Sequence, residues 1–335
     1  MPQAPFRTFP LTRRRALTGS AAALVVFGLL LWWLLPLGQK SPSGEVRFST
    51  GTQNGVYVRY GNLLDEALAR DLPRLDVTLK ESEGSWDNVT RVATGKADFT
   101  IAAADAVAKY QEDQEPGADR LRGCARLYDD YMQLIVPRGS SIKKVADLRG
   151  KRVAVGGPRS GVRLIAEKVL AAADLDVDKD IVPVDLGISG MADALKSGKI
   201  DAFFWSGGLP TNNVKELSEE FPIRLVEMGS LLDRLRAMSD PSARYYRAAV
   251  MPADTYPDAQ QGKAVSTLAV ANLLVTTDRT DPELTEAVTR TVIDSRDSIG
   301  SEVHAAQLVD LRTAVYTDPL ALHEGARRYY RSVKP

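Results

Sequence analysis

The chain has 335 residues, in which 43 Lys and Arg balance 43 Asp and Glu, and 44% of the residues are hydrophobic. This length allows two domains, and the balanced charge argues against the basic surface of a nucleic-acid-binding protein. One cysteine, Cys124, and two histidines exclude an intramolecular disulfide, a cysteine metal cluster and a histidine-rich metal site, and leave few residues for the common catalytic arrangements.

The amino-terminal segment predicts export or membrane attachment. Residues 1–16 carry four arginines and are predicted to be a basic leader that stays in the cytoplasm. Residues 17–37 carry no charge and match the roughly 20 apolar residues that a membrane-spanning helix needs. They are interpreted either as an uncleaved signal anchor or as a cleaved signal peptide, and residues 12–17 resemble a twin-arginine signal. Residues 38–45 are predicted to be a flexible linker.

Both interpretations place the bulk of the chain outside the cytoplasm. The apolar run is long for a signal core, and no small-x-small cleavage site follows it, which favours the anchor. An anchored chain would lie on the extracytoplasmic face of the cell membrane and contact the membrane through its N-terminal helix. A cleaved chain would be periplasmic or secreted.

The first part of the remaining chain predicts a β-α-β-α-β unit. Strands are expected at residues 46–49, 75–81 and 97–102, with helices beginning near Val56 and Ser85. This pattern is typical of a doubly wound parallel sheet, in which ligands bind beyond the carboxyl ends of the strands. The polar residues expected in those loops are Thr52, Asn54, Ser85, Asn88 and Asp105. Each of them has an alternative role as a helix cap, since these residue types are preferred at N-caps with or without a ligand.

Residues 143–163 predict the start of a second unit. A short β-branched strand at 151–155 is followed by the loop GGPRSG at 156–161 and by a helix from Val162. A strand, a glycine loop and a helix N-terminus together offer free N–H groups to an anion, and Arg159 and Arg163 add positive charge. The alternative is an ordinary strand-to-helix turn with solvated arginines.

Further strands repeat this layout and define the expected architecture. They are predicted at residues 181–185, 202–205 and 223–227, while 131–136 and 265–276 are predicted to be extended crossings. The predicted fold is therefore α/β, with two doubly wound lobes joined by a hinge. Lobe 1 would comprise residues 46–136 and 265–335, and lobe 2 would comprise residues 137–264. Closure over a ligand is the expected motion of such a pair.

Six segments in a fixed order carry a family resemblance. They are residues 49–57 (STGTQNGVY), 82–89 (SEGSWDNV), 95–98 (GKAD), 146–161 (ADLRGKRVAVGGPRSG), 194–203 (ALKSGKIDAF) and 322–330 (LHEGARRYY). The set resembles the TAXI family, the extracytoplasmic solute-binding subunits of TRAP transporters. The resemblance implies a periplasmic-binding-protein fold of the second type, no catalysis and no cofactor. It also implies capture of a small organic acid, or of an acidic amino acid such as glutamate, for a TRAP-type membrane permease.

The resemblance also implies a set of ligand contacts. In lobe 1 they are Thr52, Asn54, Gly55, Val56, Tyr57, Ser85 and Asn88, and in lobe 2 they are Ser160, Gly161, Val162, Trp205, Ser206 and Gly207. The chain departs from the family at Ala103 and Ala104, where polar residues are usual, at Val162, where threonine is usual, and at Arg159, where a small residue is common. These departures leave the identity of the ligand open.

Two other functions compete with the receptor hypothesis. An enzyme on the same scaffold would need a positioned nucleophile or general base, and the candidates reduce to Asp105, Cys124 and isolated carboxylates. A membrane-anchored ligand-sensing domain of a signalling system is the main alternative, motivated by the anchor and by the missing polar contacts. In all cases we expect a monomer.

Overall fold

The computed structural model describes residues 42–333. The predicted leader, the predicted anchor or signal peptide and residues 38–41 of the predicted linker lie outside this range. The strands are β1 (Gly44–Ser49), β2 (Leu75–Lys80), β3 (Phe99–Ala103), β4 (Leu121–Pro137), β5 (Arg152–Ala154), β6 (Val182–Val184), β7 (Ala202–Gly207), β8 (Ile223–Leu225), β9 (Arg247–Met251) and β10 (Val265–Thr277). The helices are α1 (Val56–Asp71), α2 (Ser85–Ala93), α3 (Ala104–Glu112), α4 (Gly161–Ala172), α5 (Ile188–Lys196), α6 (Asn212–Glu220), α7 (Leu232–Arg236), α8 (Pro257–Gln260), α9 (Pro282–Asp294), α10 (Arg296–Gly300) and α11 (Glu324–Val333).

The strands form one sheet in the order β2-β1-β3-β10-β4-β7-β5-β6, with β8 on β4 and β9 on β10. Strand β1 runs parallel to β2 and β3, and β5 runs parallel to β6 and β7. Both predicted β-α-β-α-β units are therefore confirmed. The chain alternates strand and helix in each unit, and parallel neighbours require such helical crossovers.

Two long antiparallel strands connect the units. β4 has 17 residues and β10 has 13, and they pair with each other. β10 also pairs with β3 of the first unit, and β4 also pairs with β7 of the second. The predicted crossing at 265–276 is confirmed as β10. The crossing predicted at 131–136 begins earlier, at Leu121, because the charged residues in this stretch hide a strand that is buried on both faces.

The core joins the two units. One apolar cluster contains Val89 and Val107 from the first unit together with Val153 and Phe203 from the second. Residues from 42 onwards accordingly form one compact unit by their contacts. The division into two lobes at the predicted boundaries stays a prediction, and "lobe 1" and "lobe 2" keep the residue ranges given above.

One local prediction needs correction. The stretch after β3 is predicted to be a loop, but α3 begins at Ala104, directly after the strand. Towards the end of the described chain, α9 and α10 meet at Ser295, and the last helix begins at Glu324. Within residues 42–333, no helix combines the length and the apolar character needed to cross a bilayer.

Candidate ligand-binding cavity

A cavity of about 260 Å³ is surrounded by the first residues of five helices. The residues that precede them all lie in its wall: Gly55 before α1, Gly84 before α2, Ala103 before α3, Ser160 before α4 and Gly187 before α5. The first N–H groups of a helix have no acceptor within the helix and carry partial positive charge. The arrangement therefore suits an anionic group.

The structure brings most of the predicted site residues to this cavity. Twelve of them line it: Thr52, Gly55, Val56, Tyr57, Ser85, Asp105, Ser160, Gly161, Val162, Trp205, Ser206 and Gly207. They come from both units of the fold, as the resemblance implied. Their role in binding stays a prediction.

Asn88, predicted as a ligand contact, is a structural residue. Its side chain is fully buried, and its amide donates hydrogen bonds to the carbonyls of Thr50 (2.5 Å) and Ile101 (2.9 Å). Its side-chain oxygen accepts a hydrogen bond from the Ser49 hydroxyl at 2.7 Å. These bonds hold the ends of β1 and β3 together, so the side chain is used within the protein.

The predicted arginines do not line the cavity. Arg159 pairs with Asp87, and its Nε lies 3.8 Å from a carboxylate oxygen of Glu83. Arg163 pairs with Glu167 and lies 3.0 Å from a carboxylate oxygen of Asp185. Both guanidinium groups are thus balanced by carboxylates of the chain itself, and the sequence-based expectation that they add charge to the ligand site is not met.

Residues of the first and second units contact each other at the edge of the cavity. We call this edge the rim, and it consists of Asn54, Glu83, Asp87, Arg159 and Ser189. The Asn54 amide donates to the Ser189 hydroxyl at 3.1 Å, and this places Asn54 at the rim and not in the wall. The backbone N–H of Asp87 donates to the carbonyl of Arg159 at 3.2 Å. Each contact joins a residue of the first unit to one of the second, so the rim covers the cavity.

Glycine allows the N-termini of α2 and α4 to approach each other closely. A Cβ atom on Gly161 would lie 3.0 Å from the hydroxyl oxygen of Ser85. A Cβ atom on Gly84, which has φ +125°, would lie 3.3 Å from Cα of Ser160. The predicted glycine loop therefore serves close approach across the cavity as well as the helix start.

One part of the cavity wall is polar. We call it the floor, and it consists of Tyr57, Ser85, Asp105 and Asp130. The Tyr57 hydroxyl donates to the side-chain oxygen of Asn272 at 2.5 Å and lies 3.1 Å from the Ser85 hydroxyl. The Ser85 hydroxyl also accepts the backbone N–H at the end of β3, at 3.1 Å. Burial raises the pKa of Tyr57 well above its usual value, so the ring hydroxyl is neutral and acts only through hydrogen bonds.

The remaining wall is largely apolar. Trp205 is 7% exposed, and its indole N–H donates to the Thr211 hydroxyl at 3.2 Å, which fixes the ring orientation. The aliphatic and thioether side chains in the wall are Val56, Val162, Ile165, Leu186, Met191 and Val270. A bound molecule must therefore present an apolar body to most of the cavity.

Sequence reasoning missed the carboxylate at the floor. Asp130 lies within β4 and is 4% exposed, but the predicted strand began one residue after it. The available signal was the pair of consecutive aspartates inside an apolar strand, since charged residues are rarely buried without a partner or a function. Glu83 and Asp185 also line the cavity and were not predicted.

Burial dominates the electrostatics of the floor. It raises the pKa of Asp130 to about 7, and the nearby charges of Asp129 and Asp105 act in the same direction, while the neighbouring side-chain amide of Asn272 opposes them. Burial also raises the pKa of Asp105, where the Tyr246 hydroxyl and the charge of Lys168 oppose it. Among the described residues that line the cavity, there are four carboxylates and no Lys or Arg.

The residues that line the cavity do not form a recognisable catalytic arrangement. Cys124 is fully buried outside the cavity wall, and burial raises the pKa of its thiol far above the usual range. Within residues 42–333, no group of three or more His, Cys, Asp or Glu side chains is arranged to hold a metal ion. The cavity thus combines features of a binding site without a recognisable nucleophile and base pair.

The fold and the cavity between its units define a protein with the periplasmic-binding-protein fold. The chain belongs to the NMT1-like family, whose model matches residues 48–333.

Solved structures show the same fold at low sequence identity. The alkanesulfonate-binding protein from Xanthomonas axonopodis pv. citri, bound to MOPS, is 18% identical, with 88% of this chain and 86% of that chain covered and a TM-score of 0.50. A protein from Bordetella bronchiseptica RB50 is 18% identical, with coverage of 89% and 92% and a TM-score of 0.52. An ancestral arginine-binding protein, bound to arginine, is 16% identical, with coverage of 78% and 98% and a TM-score of 0.50.

Proposed function

We propose that this protein is an extracytoplasmic solute-binding receptor and not an enzyme. The observation that carries the proposal is the cavity itself, on which five helix N-termini from two β-α-β-α-β units converge. The structural relatives named for alkanesulfonate and arginine binding support it, because they share the fold. The predicted export segment agrees with a location outside the cytoplasm.

We further propose that the receptor serves a TRAP-type membrane permease, as a TAXI-type subunit. This part rests on the ordered motifs of the sequence. The ligand would present a carboxylate, or a similar anion, to the N–H groups at the start of α1 and α4, where Gly55, Val56, Gly161 and Val162 line the cavity. A volume of about 260 Å³ suits a small metabolite.

The two-lobe division belongs to the same proposal. Lobe 1 and lobe 2 would separate by bending of β4 and β10, the long strands that pair with both units. Opening would break the rim contacts, and closure would form them around the solute.

The proposal is tested with the full-length protein in mild detergent and a thermal-shift screen of organic acids, sulfonates and amino acids. Saturable stabilisation by a small solute is expected. In the variant Gly161→Ala, the added methyl group meets the Ser85 hydroxyl and hinders closure, so affinity should fall, whereas Gly139→Ala, which adds a methyl group in open space, should leave it unchanged.

The absence of any stabilising solute, or equal affinity in the two glycine variants, would count against a closing receptor. The permease assignment is tested separately, by uptake of the identified solute into proteoliposomes that contain a TRAP permease from the same genome. Uptake that does not depend on added receptor would refute it.

A further inference from the structure

The floor of the cavity holds two buried carboxyl groups, and among the described residues no Lys or Arg lines the cavity. Asp130 and Asp105 are 4% and 1% exposed, and both line the cavity. One carboxylate oxygen of each, Oδ1, is buried and has no hydrogen-bond partner among residues 42–333. A buried carboxylate oxygen without a donor is costly, and a site that retains two of them calls for a donor from outside the chain.

Asp129, the neighbour of Asp130, is a carboxylate whose charge is compensated within the protein. Successive residues of a strand point to opposite faces. Asp129 lies outside the cavity lining, where Arg126 approaches it to 2.8 Å and Arg247 pairs with its other oxygen. Asp130 faces the cavity and has no such partner.

Asp105 is held in place by one oxygen and leaves the other free. Its Oδ2 accepts a hydrogen bond from the Tyr246 hydroxyl at 2.5 Å. Lys168 contributes a favourable charge from a distance, but its ammonium is bound to Asp240 at 2.7 Å. The hydrogen bond from Tyr246 therefore fixes the orientation of the Asp105 carboxyl group, but no cation of the described chain contacts its free oxygen.

The described surroundings of Asp130 offer no cation. The ionisable and polar groups near it are Asp105 from α3, Tyr57 from α1, Asn272 from β10, and Asp129 and Tyr128 from its own strand. A metal ion is a poor candidate, because the described residues lack a set of three suitable ligands. Below about pH 7 a proton keeps the carboxyl of Asp130 neutral in the free protein, and a solute that carries a positive charge can take the place of this proton.

Resting on the proposed receptor function, we infer that the ligand carries a protonated amine, which donates hydrogen bonds to the free oxygens of Asp130 and Asp105. Its carboxylate would lie at the helix N-termini, and its body would contact the apolar wall. Such a ligand is a zwitterion with an apolar side chain. A dicarboxylate would add negative charge to a cavity already lined by Glu83, Asp105, Asp130 and Asp185.

A linkage to protons follows from this inference. Burial raises the pKa of Asp130 to about 7 in the free protein, so the carboxyl is largely protonated at pH 6. An ammonium group favours the charged form and expels this proton. Binding at pH 6 should therefore release close to one proton, and affinity should rise about tenfold per pH unit from pH 5 to pH 7 and level off above it.

The experiment uses matched sets of small molecules on the full-length protein. Each set keeps one carbon skeleton: leucine, 2-hydroxy-4-methylpentanoate and 4-methylpentanoate form one, and the corresponding valine, methionine and glutamate sets extend the series. Thermal shift ranks them, and titration calorimetry in buffers of different ionisation enthalpy counts protons. We expect amino acids to bind, the hydroxy and deamino acids to bind at least 10-fold more weakly, and glutamate to bind less tightly than the apolar amino acids.

Two variants assign the effect to the floor. Asp130→Asn should weaken amino-acid binding by about 10- to 150-fold, the factor for one hydrogen bond to a charged group, and should abolish proton release. Asp129→Asn is the matched control, because its side chain is outside the cavity lining, and it should retain both affinity and proton release. Far-UV circular dichroism verifies that each variant is folded.

The possible failures are distinct. If hydroxy or deamino acids bind as tightly as the amino acids, or if binding releases no proton at pH 6, the amine inference is overturned and the receptor function stands. If no molecule of any set or of the wider screen binds, both are overturned. Equal loss of binding in the two aspartate variants would also overturn the inference, since it would reflect damage to β4.

Discussion

At the rim of the cavity each charged side chain meets an opposite charge, whereas at the floor two carboxylates each keep an oxygen without a partner in the described chain. Asp87 is buried and lies between Arg91 and Arg159. Asp130 is equally buried but has only negative charges and neutral groups around it. We interpret the difference as two proposed tasks: the rim, whose charges are paired within the chain, would serve closure, and the floor, whose carboxylates are not, would select the ligand.

The largest effect should come from the floor. An ordinary Asp has a pKa of about 3.9, and burial raises that of Asp130 to about 7. Between these values the folded protein holds a proton that the unfolded chain has lost, so the unfolding free energy falls as the pH rises from about 4 to 7 and then stays level. At 1.36 kcal/mol per pH unit, the loss approaches about 4 kcal/mol.

The asparagine side chain in the variant Asp130→Asn does not ionise, so the unfolding free energy of this variant does not fall in this way between pH 4 and pH 7. Without ligand, it should equal the wild type near pH 4 and exceed it by up to about 4 kcal/mol above pH 7, as measured by denaturant unfolding across the pH range. Asp129→Asn should show no such gain, because the carboxylate of Asp129 is already paired with Arg126 and Arg247. If Asp130→Asn is no more stable than the wild type at pH 8.5, the ionised carboxylate of Asp130 does not destabilise the ligand-free protein, and the contrast between rim and floor is wrong.

A smaller effect of opposite sign is expected at the rim. Asp87→Asn removes a carboxylate that is 2.8 Å from Arg91 and also pairs with Arg159, so it should lower the unfolding free energy by about 1–3 kcal/mol at pH 7. Asp174→Asn, at an exposed pair with Arg234, is the control and should leave the unfolding free energy nearly unchanged. If Asp87→Asn were more stable than the wild type at pH 7, the carboxylate at the rim would be as poorly compensated as the one at the floor.

The smallest effect should follow from removing one cation of the rim. The Arg159 side chain is 52% exposed, so Arg159→Gln should leave stability nearly unchanged. Affinity for the amino acid identified above should fall about two- to fivefold in calorimetry, since only the closed form gains the pair with Asp87. Arg152→Gln should have no effect, because its partner Asp201 belongs to the same unit and neither residue lines the cavity; similar losses in the two variants would refute the role of the rim in closure.

The sequence predicted the local architecture well because each element is determined by neighbouring residues. The spacing of Tyr60, Leu64, Ala67 and Leu68 buries one face of α1, as an amphipathic helix requires. The glycine loop before α4 was recognised from its composition, and Ser160 indeed accepts the backbone N–H of Arg163 at 3.0 Å, as an N-cap does.

What the sequence did not predict depends on partners distant in the chain. The orientation of Arg159 is decided by Asp87, which is 72 positions away, and no local pattern reveals that pair. Asp130 was missed for a related reason: an aspartate inside a strand is unfavourable locally and makes sense only once the cavity on that face is known. The short α3 helix was also missed, because it begins without a polar cap.

The place of Asp130 along β4 has one more consequence. Pairing with β10 extends along β4 as far as Tyr131, and pairing with β7 begins at that same residue. Asp130 is therefore next to the pivot about which the halves of the molecule would swing, where displacement is least. In the proposed opening and closing, the carboxyl of Asp130 would keep nearly the same surroundings, so an arriving solute would meet this group before the lobes move.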